Sequence, residues 1–253
     1  MPSRTYSFDE AADKLAQYIS EHSRIVFFGG AGTSTESGIP DFRSQDGVFA
    51  KQQVYPHAPE IMVSRPFYDR DPEMFYTFYR DKLIHPEAKP NVGHQVLAQL
   101  EQQGKLQAVI TQNIDGLHQA AGSKEVIELH GSVHRNDCLS CKKRYPLATV
   151  LESVSVIPYC PACGGVLKPD VVLYGETLNE QVIADAVRNV EHTDLLIIAG
   201  TSLSVQPAAS FAQMGSQAAT VIINRTSTPF DNAADAVFNH SSGLLLEAAF
   251  KRL

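Results

Sequence analysis

The chain carries four cysteines, and their spacing is regular. Cys138 and Cys141 make one C-x2-C pair, Cys160 and Cys163 a second, with 18 residues between the pairs. That pattern falls inside the window for a four-thiolate zinc site. Pro161 and Gly164 flank the second pair and supply the tight turn that lets two sulfurs converge. Four thiolates close the shell, so no coordination position is left for water and the zinc is expected to be structural. Few large apolar residues lie in this segment, and zinc binding of roughly 10–16 kcal/mol in comparable small modules would supply the missing stability. Two disulfides are the competing reading, disfavoured where thiols stay reduced.

A second group of reactive residue types sits at the ends of short apolar runs. Ile25 to Phe28 lead into Gly29, Gly30, Ala31 and Gly32. Ala108 to Ile110 lead into Gln112, Asn113, Ile114 and Asp115, and Val126 to Leu129 into His130 and Gly131. Leu195 to Ala199 end in Gly200, Thr201 and Ser202, and Val221 to Ile223 in Asn224 and Arg225. Ligands of open α/β sheets bind outside the carboxyl ends of strands, so polar residues there carry more weight than elsewhere. Glycines after a strand bring bare N–H groups close to a phosphate. The bland readings are a ligand-free glycine turn, turn-forming Asn and Asp, and a solvated histidine. A dehydrogenase fingerprint needs a third glycine at position 35, where Thr35 stands, and an acidic strand end about 20 residues on, which is lacking. Phosphate binding survives; simple hydride transfer does not. With an ordinary pKa near 6.5, His130 suits a general base at neutral pH.

The elements that must hold these residues are legible in outline. Ser7 and Glu10 form a capping box ahead of a helix whose Ala11, Leu15, Tyr18 and Ile19 share a face. Asp71-Pro72 caps a helix with Phe75, Tyr79 and Leu83 in one stripe, inside an aromatic and proline-rich stretch from 44 to 87. Pro90 opens another helix, with Gly104 at its end. Asn179 caps a helix with Ile183, Val187 and Val190 inward, and a last helix turns Leu245, Ala249 and Leu253 inward. Strands near 25, 108, 126, 171, 195 and 221, separated mostly by helices, predict an α/β fold: a doubly wound parallel, Rossmann-like sheet. The expected division is a nucleotide-binding domain of residues 1–43, 88–133 and 170–253. A smaller domain would combine the helical insertion 44–87 and the zinc module 134–169.

Taken together, the stretch GGAGTSTESGIPDFR, TQNIDGLH, ELHG, the paired CxxC motifs, YGE and GTSLSVQP resemble the sirtuin family, the NAD-dependent protein-lysine deacylases. They span nearly the whole chain in the family's order. The resemblance implies that NAD is held by Gly30, Ala31, Gly32, Thr35, Asp41, Phe42, Arg43, Gln112, Asn113, Ile114, Asp115, Gly200, Thr201, Ser202, Asn224 and Arg225. It implies an acyl-lysine peptide extended along Val172, Tyr174, Gly175 and Glu176 on one side and Val205 on the other, and His130 and Asn113 as catalytic residues. By the same likeness, the acyl amide oxygen attacks the ribose carbon bearing nicotinamide, and His130 activates a ribose hydroxyl that carries the acyl group off as O-acyl-ADP-ribose. Two departures stand out. Tyr174 replaces the usual Phe, and His240-Ser241-Ser242 differs from the acidic residue often seen at the adenine end. Members that prefer succinyl groups carry Tyr and Arg three apart; here Tyr76 is followed by Tyr79, with the arginine displaced to Arg80. Neutral acyl groups, acetyl foremost, are therefore expected.

Composition sets the outer bounds. At 253 residues and 43% hydrophobic content the chain builds a sizeable core. Its formal net charge of −7 argues against nucleic acid as a partner. The opening MPSRTYSFDE lacks the apolar centre of a leader, and no run approaches a membrane span, so a soluble cytoplasmic chain is expected; a monomer is expected too, though none of these features bears on it. Two competing functions stay open: an NAD-dependent protein ADP-ribosyltransferase, and a non-catalytic zinc-ribbon adaptor suggested by Arg135, Lys142, Lys143 and Arg144.

Overall fold

A computed structural model describes residues 6–41, 55–204, 210 and 217–253. In chain order these form α1 (Phe8–Glu21), β1 (Ile25–Gly29), α2 (Pro59–Met62), α3 (Arg65–Arg70), α4 (Pro72–Lys82) and α5 (Val92–Gln102). There follow β2 (Leu106–Thr111), α6 (Leu117–Ala121), β3 (Val126–Glu128), β4 (Gly131–Cys138), β5 (Arg144–Pro146), α7 (Leu147–Leu151) and β6 (Leu167–Val171). The remainder is α8 (Glu180–Glu191), β7 (Leu195–Ala199), β8 (Ala219–Ile223), β9 (Ala236–Phe238) and α9 (Ser242–Phe250).

Six strands make one parallel sheet in the order β3-β2-β1-β7-β8-β9. All six run the same way, but the order in which the chain lays them down reverses between β1 and β7, which places the ligand crevice of a doubly wound fold there. Both strands are buried from end to end, as continuous apolar runs must be when helices cover both faces. Phe27 and Ile197 face a core built with α1, α5 and α9, whereas Val26, Phe28 and Ile198 face α8.

The expected helix caps at Ser7, Asp71 and Asn179 are present. Asn91 rather than Pro90 opens α5, its side chain accepting from the N–H groups of Gly93 and His94 while the His94 ring accepts from the Asn91 N–H. Leu253 lies beyond the end of α9 and is exposed, not inward. The strand near 171 also needs correcting: β6 is not part of the parallel sheet. It pairs antiparallel with β4 in a second sheet, β5-β4-β6, because its carbonyls and amides meet the chain leaving His130. The sixth strand of the main sheet is β9, too short and too polar on both sides to stand out in the sequence. β4 starts at Gly131 and β6 ends at Val171, so the small sheet runs a few residues past 134–169 at each end.

The aromatic helices and the small sheet share one core. Phe67, Tyr68, Phe75, Tyr76 and Tyr79 pack with Val133, Leu147, Val171 and Leu173. Two insertions distant in sequence thus form one body beside the sheet. Among the described residues, no helix is long and apolar enough to cross a membrane.

Candidate active site and metal centre

Hydrogen bonds one residue beyond the strand ladders stitch the carboxyl rim of the sheet together. Gln112 N–H donates to the Gly29 carbonyl, Gly30 N–H to Ala199 and Gly200 N–H to Ile223, at 2.9–3.1 Å. The glycine turns after β1 and β7 interlock, with Gly32 N–H 2.8 Å from the Gly200 carbonyl oxygen. A Cβ on Gly32 would lie 2.7 Å from the Gly200 Cα. One on Gly200 would lie 2.4 Å from the Thr33 nitrogen, and Gly200 also has φ +61°. These glycines are required first by each other, and their bare backbone then forms one wall of a cleft of about 1660 Å³ between the sheet and the smaller body.

Ala31, Gly32, Thr35, Asp41, Thr201, Ser202, Asn224 and Arg225 line this cleft with Gln112 to Asp115, His130, Val172 and Tyr174 to Glu176. Gly30 supports the wall from behind, its carbonyl accepting from Thr33. Phe42, Arg43 and Val205 lie outside the described residues. Hydroxyls, amides, one guanidinium and a side-chain-free backbone are the donor set a dinucleotide calls for, so the residues present fit NAD.

The loop after β2 is held from several directions. Asn113 is buried and its Nδ2 reaches the Gly30 carbonyl oxygen at 3.2 Å, Thr33 Oγ1 at 3.1 Å and Ser34 Oγ at 3.0 Å. Gln112 Nε2 donates to Thr201 Oγ1 at 3.1 Å, joining the loop to the turn after β7. The Asp115 carboxylate accepts from Ser34 Oγ at 2.7 Å and from Leu117 N–H at 2.9 Å. Much of this polar set therefore shapes the rim itself. The sequence alone does not mark Thr33, Ser34 or Thr111: the first two offer only small hydroxyls beside a glycine turn, and Thr111 one at the end of β2, where its Oγ1 accepts from Asn113 N–H at 3.0 Å. Glu36 is a further omission. Its carboxylate accepts from Ser241 Oγ and from Gly243 N–H, so an acid does hold the 240–243 turn, but it comes from the other end of the chain.

His130 Nδ1 donates to the Gln112 carbonyl oxygen at 2.9 Å, which puts the ring proton on Nδ1 and leaves Nε2 with its lone pair. Burial lowers the His130 pKa below 6.5, outweighing the carbonyl bond that favours the charged ring. The ring is neutral at pH 7, the state a general base needs.

On the opposite wall, Val172 N–H donates to the His130 carbonyl and Tyr174 N–H to the Val63 carbonyl, both at 3.0 Å. Tyr174 is half-exposed and its ring is available to a ligand. The Glu176 carboxylate is already engaged by Arg65 and Lys168, each at 3.2 Å, and by Leu173 N–H at 2.9 Å. Burial raises its pKa, but these donors outweigh burial and the net shift is downward. Glu176 thus anchors the edge from behind. Arg80 points elsewhere, its Nη2 bonded to the Ser155 and Val156 carbonyls, and Tyr79 is fully buried.

All four cysteine sulfurs lie within 4.8 Å of one another, and none is in a disulfide. Cys138 and Cys163 are 3.5 Å apart, Cys141 and Cys160 3.7 Å. Tetrahedral zinc with bonds of about 2.3 Å sets its sulfurs about 3.8 Å apart. The cluster fits that ion and leaves no open position.

The comparisons with known proteins agree with this geometry. The Sir2 family model matches residues 30–207. An NAD-dependent protein deacetylase of Clostridium perfringens is 52% identical over 239 residues, covering 94% of this chain and 98% of that protein. Its counterpart in Clostridium acetobutylicum is 49% identical over 235 residues, covering 93% and 96%. Among solved structures, a Sir2 complex with a deacetylated p53 peptide and 3'-O-acetyl ADP ribose superposes with a TM-score of 0.87 at 36% identity, covering 94% of this chain and 97% of that one. A Sir2–p53 peptide–NAD+ complex does so at 0.82 and 37%, with the same coverage. With the interlocked glycine turns, the rim histidine and the four-thiolate cluster all in place, this chain belongs to the Sir2 family.

Proposed function

We propose that this protein is an NAD-dependent protein deacetylase that removes acyl groups, chiefly acetyl, from lysines of protein or peptide substrates. The observation that carries the reading is one cleft walled by the Gly32–Gly200 turns, a neutral His130 and the Val172–Tyr174 edge. NAD, when bound, supplies the ADP-ribose that accepts the acyl group as nicotinamide departs.

The chain's own residues divide the remaining work. Bare backbone at Gly30 to Gly32 and Gly200, with Thr35, Thr201 and Ser202, fits the phosphates and riboses. Asn224 and Arg225 suit the far ribose, and Asp41 with the neighbouring Phe42 and Arg43 the near rim. Gln112, Asn113, Ile114 and Asp115 face the nicotinamide end, and Asn113 also fixes the geometry of the glycine loop. His130 Nε2 takes a proton from a ribose hydroxyl; the Gln112 carbonyl stabilises the imidazolium that results. Peptide backbone lies along Val172, Tyr174 and Gly175, with Val205 on its other side, as strand addition requires. Glu176 keeps that edge straight. Cys138, Cys141, Cys160 and Cys163 hold structural zinc.

We further assign residues 1–43, 88–133 and 170–253 to the NAD-binding domain, 44–87 to the helical insertion and 134–169 to the zinc module. The parallel sheet's own cores, distinct from the single core that the two insertions share, support the first boundary. We also assign action as a monomer, and cysteines kept as thiolates rather than disulfides suit the cytoplasm. Mass analysis after incubation with NAD and an acetyl-lysine peptide tests the function. Loss of the acetyl group with appearance of O-acetyl-ADP-ribose is expected. ADP-ribose attached to protein, with the acetyl group retained, would establish the transferase reading instead.

A further inference from the structure

We infer that an irregularity in β4 is the clamp through which the zinc module sets the position of His130, and that Arg135 is its positioning residue. The inference rests on the proposed role of His130. β4 and β6 pair at Ser132↔Asp170 and again at Asn136↔Pro169, so four steps on β4 match one on β6. Val133, His134 and Arg135 are thereby left without partners on β6, although Arg135 keeps its pairing with Pro146 of β5. Each of the three turns back to the catalytic rim. Val133 N–H donates to the Ile114 carbonyl at 3.0 Å. His134 Nε2 meets the Asp115 carbonyl oxygen at 2.9 Å, its ring lying where a side chain on Gly116 would be. Arg135 donates through Nη1 to Glu128 at 2.6 Å and through Nε to Asp170 at 2.8 Å.

Glu128 and Asp170 belong to different bodies, the parallel sheet and the small sheet. Each lies two residues from a working position, Glu128 from His130 and Asp170 from Val172. Those two positions are themselves joined by the Val172 N–H bond to the His130 carbonyl. Arg135 therefore fixes the separation of base and peptide edge with one planar fork, a task lysine cannot perform because it offers a single point charge. The Glu128 side chain is only 8% exposed, so without Arg135 a nearly buried carboxylate loses its charged partner.

The test is Arg135→Met, with Asp170→Asn as a milder second variant should the first fold poorly. Zinc content, NAD affinity measured without turnover and KM for the peptide should stay within about twofold of the parent, while kcat falls about tenfold, as misplacement of a catalytic group by a fraction of an ångström does. Arg135→Lys should restore little of it. Adding Glu128→Gln to Arg135→Met should cost no more than Arg135→Met alone, because both act on one bond. Amide exchange at Val133 and Val172 should quicken in the variants, a readout independent of turnover. Unchanged kcat and exchange would overturn the inference, as would a loss of kcat that merely tracks loss of zinc or NAD binding. A wild-type protein that deacetylates nothing would defeat the proposed function, with the exchange data still deciding the clamp.

Discussion

The parallel sheet and the zinc module are stabilised by different means. β1 and β7 are buried along their whole length, and more than twenty residues pack into the core on one face of the sheet alone. The cluster around the metal ligands consists of Cys138, Cys160 and Leu167, with Tyr145 packed against it. Leu139, Leu151, Val154 and Tyr159 of the module remain exposed. Apolar burial at about 25 cal/mol per Å² suffices for the first region; in the second it is confined to the face that meets the aromatic helices and is scant around the cysteines. A metal cross-link takes its place, helped at the surface by Arg144 on Asp137 at 2.7 Å. The difference shows where each region is vulnerable: the sheet to shape, the module to ligand loss.

Metal removal should separate the two regions most widely. Chelation, or Cys138→Ser, is expected to release one zinc per chain and to speed amide exchange across β4, β5 and β6 while β1 and β7 stay protected, reflecting loss of roughly 10 kcal/mol of binding free energy. Metal analysis finding no zinc, or a module equally protected without it, would break the comparison.

The next effect concerns the boundary between the regions. His130→Ala should lower deacetylation by about 10²–10⁴-fold with NAD binding retained. Retention of more than about a tenth of the rate would remove His130 from its assigned role. Because the His130 pKa lies below 6.5, the ring is already neutral above that value. The rate should therefore hold as pH falls to about 6.5 and decline only as the ring gains a proton below it. A decline centred above pH 7 would contradict this sign.

Glycine replacement sharpens the contrast inside each region. Gly200→Ala places a Cβ 2.4 Å from the Thr33 nitrogen at φ +61°, and should cost roughly 3 kcal/mol or more in thermal or denaturant unfolding. Gly164→Ala, in the module, has φ +74° but nothing within 4 Å, and should cost only about 1 kcal/mol. Equal losses would mean that the turns after β1 and β7 are looser than they stand here.

The smallest effect is selectivity for the acyl group. With Arg80 committed to the Ser155 and Val156 carbonyls and Tyr79 sealed in the aromatic core, neither offers a cation to a succinyl carboxylate. Specificity constants for acetyl- and succinyl-lysine forms of one peptide should differ by about tenfold, or about 1.4 kcal/mol, in favour of acetyl. Equal constants would show that another cation serves.

What the sequence by itself determined is what short-range chemistry can encode. The C-x2-C pairs, the capping residues Ser7, Asp71 and Asn179, the apolar runs of β1 and β7 and the polar strand ends are all local patterns, and each is found where it was expected. Tertiary structure alone decided which strands share a sheet. The segment near 171 and β9 were misassigned or missed because pairing partners lie far away in the chain, and short strands carry little pattern of their own. It also decided that Gly32 and Gly200 answer to each other across 168 positions of sequence, that Glu36 holds the 240–243 turn, and that Ser34 supports Asp115. Each of these is a hydrogen bond or close approach between residues whose types are common and whose neighbours are unremarkable. Only the fold brings them within 3 Å, and only there does an ordinary glycine, serine or glutamate acquire its task.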